Sequence, residues 1–192
     1  MNTRTLPDLS AEPAGADDAA PALRAAAVLA DGATNLDALL AEVVQRLKQA
    51  GRQVRGLLMT YPDGDTDCSG AMVMVDVHTG DEYLVSQPLG AGSTGCRADP
   101  QGFARASQVL RRAADEQPEL VVVNRFGGLE AEGGGMRAEL LDLMAREVPL
   151  LTAVSPRFSA AWQQFTGGAT LLPADADAVE RWVGQVLPEP TR

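Results

Sequence analysis

Leu120–Gly135 reads LVVVNRFGGLEAEGGG, and this stretch decides the fold. Four apolar residues run without alternation and stop at a polar pair, Asn124-Arg125, followed by a loop dense in glycine. An unbroken β-branched run of this length predicts a strand, Leu120–Asn124, covered on both faces. Buried on both sides, it belongs in a parallel sheet between two layers of helices.

Working outward, the flanking segments repeat the pattern. Pro100–Glu116 predicts a helix, with Asp99 as its cap and proline at its first position. Met136–Arg146 predicts another, Leu150–Val154 a strand, and Ser155 caps a short helix over Arg157–Phe165. Ala169–Leu172 and Asp175–Val186 predict a last strand and a closing helix. Toward the amino terminus, AAAVLA at Ala25–Ala30 reads as a strand. The turn Asp31–Asn35 follows, then a helix from Leu36 to Ala50 with Leu36, Leu39, Leu40, Val43, Val44 and Leu47 on one stripe. Thr34 or Asn35 caps that helix and Gly51 ends it. Val54–Thr60 is the second strand. Ala71–Val77 and Glu82–Ser86 pair as a hairpin that turns at Thr79-Gly80-Asp81. The expected fold is therefore α/β: three layers, a mainly parallel sheet with helices on both faces, and one inserted β-hairpin. Residues 1–24, rich in Ala, Asp and Pro, read as a disordered tail, and residues 25–192 as a single domain.

Composition narrows the function. The net charge of −10 disfavours nucleic acid and anionic membranes as partners. No apolar run approaches the length of a membrane span, and the first residues lack the basic start and apolar core of a signal peptide. The cytoplasm is the expected location, with Cys68 and Cys96 reduced.

In sheets of this kind ligands bind beyond the carboxyl ends of the strands. Three segments belong there: Asp31–Asn35, Leu89–Asp99 and Asn124–Gly135. Glycine lets backbone amides come close to a ligand, and helix N-termini offer unpaired amides. Arg97 and Arg125 add forked cations suited to an oxyanion. The candidate ligand-binding set is Gly32, Thr34, Asn35, Gly95, Cys96, Arg97, Asn124, Arg125, Phe126, Gly127, Gly133 and Gly134. Cys96, beside Arg97 and before a helix start, is also the candidate ligand for a soft metal centre. Glu130 and Glu132 could bind a divalent cation or act as acid and base, but read better as anchors that hold Arg97 or Arg125 in position. Phe126 reads as a platform for a flat ligand or as a lid over the core. Trp162 and Phe165 read as packing residues, and His78, at the hairpin turn, carries no role.

The segments GCRAD, NRFGGLEAEGGG and LLTAV, together with Trp162–Gly167, resemble a bacterial family catalogued as domain of unknown function 2478. That family is similar to small P-loop nucleoside-triphosphatases. The resemblance covers Ala25 to Val186 and implies a P-loop NTPase-like fold. It also implies that Glu130 matches a carboxylate of the hydrolases, while their two catalytic signatures are degenerate. Asp31-Gly32-Ala33-Thr34-Asn35 stands where the long loop ending Gly-Lys-Ser/Thr belongs, and Asn124-Arg125 where a strand ends Asp-Glu. Because the family occurs beside molybdate-transport functions, the resemblance points to molybdate, tungstate or an anionic molybdenum cofactor species as ligand. It leaves a homo-oligomer, a molybdenum enzyme or a transport component as partner. Nucleotide with magnesium, turned over by Glu130 or Glu132, is the alternative.

Overall fold

A computed structural model describes residues 23–64, 70–87 and 98–187. Seven strands form one sheet in the order β4-β3-β2-β5-β6-β1-β7. They are β1 (Ala25–Leu29), β2 (Val54–Thr60), β3 (Val73–Asp76), β4 (Glu82–Leu84), β5 (Leu120–Phe126), β6 (Leu150–Val154) and β7 (Thr170–Leu172). The pairs β2–β5, β5–β6, β6–β1 and β1–β7 are parallel, and β3 and β4 add an antiparallel hairpin at one edge. The helices are α1 (Leu36–Gln49), α2 (Pro100–Glu116), α3 (Gly128–Ala131), α4 (Arg137–Ala145), α5 (Pro156–Thr166) and α6 (Ala176–Val186).

Successive strand residues point to opposite faces, so each buried strand feeds two cores. Val121 and Val123 of β5 pack into the core that also holds Val109, Leu110, Leu140, Leu143 and Trp162, from α2, α4 and α5. Leu120 and Val122 pack into the other, with Leu40 and Val43 of α1 and Val179 and Val183 of α6. This is the expected three-layer arrangement. Among the described residues, no helix is long and apolar enough to cross a membrane.

Two local features differ from the sequence expectation. β5 continues past Asn124 to Phe126, because Phe126 regains register with Val154 after an irregularity. Thr152 bridges the gap: its hydroxyl donates to the Val123 carbonyl at 2.6 Å and accepts from the Phe126 amide at 3.2 Å. The peptide between Asn124 and Arg125 is cis. The glycine loop that follows also contains a short helical turn, α3. Residues 1–22 of the amino-terminal tail lie outside the described residues, as does Cys68, while Arg24 accepts from the Leu150 amide at 2.8 Å through its carbonyl.

Candidate functional site

The carboxyl ends of β1, β5 and β6 share one edge, since all three run parallel. The turn after β1 is organised by its own acid. Asp31 Oδ1 accepts from the amides of Ala33 at 2.9 Å and Thr34 at 2.7 Å, and Oδ2 accepts from the Thr34 hydroxyl at 2.9 Å. Gly32 takes the left-handed conformation, φ +78°, that closes the turn. Asn35 is the cap of α1, its side-chain oxygen accepting from the Ala38 amide at 3.0 Å. The amides that would cradle an anion here therefore already hold a carboxylate belonging to the chain.

These amide bonds favour the ionised form of Asp31 and hold its carboxyl below the ordinary value of 3.8. The unfolded state then binds the proton more tightly than the folded one. The contribution of Asp31 to stability is present above its unfolded pKa and is lost as pH falls through the lowered folded value. Asp31→Ala should lower stability at neutral pH and differ progressively less from wild type in acid. Chemical denaturation at several pH values measures this, and a pH-independent difference would contradict it.

At the end of β5, Asn124 is fully buried and its side-chain nitrogen donates to Asp37 Oδ1. Reversing the amide would set oxygen against carboxylate, so the donor orientation is fixed by chemistry. Asn124 Oδ1 has no partner among the described residues. The next residue, Arg125, reaches the same Asp37 oxygen from Nη2 at 3.3 Å, with its side chain 45% exposed. Asp37 lies in the first turn of α1. One carboxylate thus ties the start of α1 to the end of β5.

At this strand end Asn124 Nδ2 and Arg125 present N–H donors to Asp37, and Asn124 Oδ1 is the one side-chain oxygen of the pair. Among the described residues, no three His, Cys, Asp or Glu side chains gather in a way that could hold a metal ion.

Beyond β5, Phe126 is buried, its ring 5.3 Å from those of both Trp162 and Phe165. Its ring packs in the core together with Trp162. Glu130 is 5% exposed, and both its oxygens are engaged: Oε2 accepts from the Gly127 amide at 2.9 Å and Oε1 from the Met136 amide at 3.0 Å. A second acid thereby organises the second glycine loop. The ion pair of Arg125 is with Asp37 and not with either glutamate. Glu132, Gly133 and Gly134 are exposed. Gly95, Cys96 and Arg97 lie outside the described residues.

A cleft of about 710 Å³ begins beside this cluster, with Asn35, Asp37, Thr60 and Tyr61 in its lining, and continues along α1 over β2 and β3 to His78. Sequence reading missed Asp31 and Asp37. The spacing of Asp31 ahead of Thr34 is a turn-forming signal that was available. Asp37 sits off the apolar stripe of α1, and only the crossing of α1 over β5 gives it partners.

Residues 25–182 match the model of a family described as protein of unknown function (DUF2478). The chain is similar to "Molybdenum import ATP-binding protein ModC 2" of Bradyrhizobium diazoefficiens, 37% identical over 160 residues. The match takes in 83% of this chain but 18% of that relative's length. The similarity and the seven-stranded, mostly parallel sheet together support a P-loop NTPase-like fold.

Proposed function

The chain belongs to the DUF2478 family, and from that premise we propose that it is a non-hydrolysing, P-loop-like binding protein that takes a small oxyanion in cytoplasmic molybdenum handling. The ligand is molybdate, tungstate or an anionic molybdenum cofactor species, and the relative named for molybdenum import supports that choice. A molybdenum transport component or a molybdenum enzyme is the partner to which the ligand passes.

The observation that carries this reading is the charge exchange at the end of β5. A half-exposed guanidinium, Arg125, and a side-chain amide, Asn124, stand where a hydrolase would place metal-binding carboxylates. Arginine forks suit free oxyanions. Asp37 holds that fork in the absence of ligand, and an incoming oxyanion replaces Asp37 on Arg125. The internal acid at Asp31 supports the absence of hydrolysis, because its carboxylate occupies the amides that a phosphate would need.

Calorimetric titration of molybdate, tungstate, sulfate and phosphate tests the proposal. Arg125→Ala should weaken binding of the preferred ion by roughly tenfold or more, the equivalent of one charge-assisted hydrogen bond. Absence of heat and of thermal shift with all four ions would remove the proposal.

A further inference from the structure

We propose a second binding site, distinct from the end of β5, in the pocket between α3, α4 and α5. It takes a compact ligand that presents negatively charged oxygens, and Arg137 is its principal contact. The pocket has a volume of about 430 Å³ and is lined by Glu132, Gly133, Arg137, Gln164 and Phe165, among others. That volume lies within the range of small-molecule sites.

The argument rests on how Arg137 is held. Its guanidinium carbon lies 4.4 Å from the centroid of the Phe165 ring. Its Nη1 donates to the Glu130 carbonyl at 3.2 Å. Phe165 is itself fixed against Phe126 and Trp162. The side chain is therefore positioned by a stack and a carbonyl, neither of which neutralises its charge. Arg137 takes part in none of the ion pairs formed among the described residues. The acid on its own helix, Glu139, is bound to Arg111 at 2.9 Å. Arg137 is also the first residue of α4, where the helix dipole disfavours a cation. A half-buried cation that closes no ion pair among the described residues, in a chain of net charge −10, is open to a ligand that supplies paired oxygens.

The remaining lining groups define the ligand. The free edge of the guanidinium suits paired oxygens, as in a carboxylate or phosphate. Gln164 adds an amide. Gly133 leaves open space, with nothing within 4 Å of where a Cβ would stand. Glu132, exposed at the same pocket, opposes anions and limits the charge that can enter.

Titrations followed by calorimetry, with inorganic phosphate and with malonate as probes, test the site on the full chain. Binding of phosphate alone identifies an inorganic ion, and binding of malonate an organic acid; either supports the site when it shows the following pattern. Arg137→Lys keeps the charge but loses the fork, and should weaken binding roughly tenfold. Glu132→Gln, a change at an exposed position, should strengthen it. Arg125→Ala should leave unchanged the component of the heat that Arg137→Lys removes, so failure here and failure of the oxyanion site at β5 are read separately. The proposal is overturned if neither probe binds, if Arg137→Lys and Glu132→Gln both bind like wild type, or if Arg125→Ala abolishes the same heat.

Discussion

Gly56→Ala is expected to prevent folding or lower the melting temperature by roughly 10 °C or more. Gly56 sits inside β2, opposite Val122 of β5, with φ +132°. A Cβ there would stand 1.8 Å from the Val122 carbonyl oxygen and 2.8 Å from its nitrogen. The obstruction is backbone, so no rotamer relieves it. Accommodating it means separating β2 from β5, and Leu57 and Val54 on either side are core residues. Loss of that pairing also detaches the β3–β4 hairpin, which reaches the parallel sheet through β2. A thermal melt followed by circular dichroism measures the effect. A variant melting within about 3 °C of wild type, equivalent to roughly 1 kcal/mol, would contradict this reading of the β2–β5 pairing.

Glu130→Ala is expected to cost about 3 kcal/mol, and to lower the melting temperature by roughly 6–12 °C. The residue is 5% exposed, and its two oxygens hold the amides of Gly127 and Met136. Hydrogen bonds to an ionised acceptor each contribute about 1.5–3 kcal/mol. Removing the carboxylate strands two amides at once, one before α3 and one before α4, and partial solvation of the opened loop offsets some of the loss. Glu130→Gln, which keeps one acceptor, should lose less. The same geometry explains Gly135, where a Cβ would lie 2.0 Å from Glu130 Oε1. Were Glu130 an acid–base group with no structural duty, Glu130→Ala would leave the melting temperature unchanged, and that result would contradict this reading.

The fold was legible because its signals are local. β2, α2 and β6 occupy the residues that apolar runs, proline and a capping aspartate mark out. The departures come from tertiary context. β5 runs on through Asn124 and Arg125 because β6 offers Val154 and the Thr152 hydroxyl as partners, which a single-strand reading does not contain. The site was legible in part. Asn124 and Arg125 do stand at the strand end, as their position after LVVV implied, but composition could not say that their partner would be Asp37. In sequence an acid among glycines is conspicuous, and Glu130 reads there as an anchor for an arginine or, alternatively, as acid–base chemistry. In the structure its oxygens meet amides that only the folded loop brings within reach. Arg137 was passed over for the related reason that an arginine opening a helix looks solvated. Its stack on Phe165 depends on the packing of α5 against α3.

These contacts share one physical theme. Internal carboxylates engage the donors of both loops and of the β5 end: Asp31 at the first turn, Asp37 against Asn124 and Arg125, and Glu130 within the second glycine loop; on the proposed reading this leaves no grip for a triphosphate and its metal. The most direct test is phosphate release from ATP and GTP in the presence of magnesium. The account predicts a rate indistinguishable from a protein-free control. Turnover that disappears in Glu130→Gln, in a variant that remains folded, would contradict it.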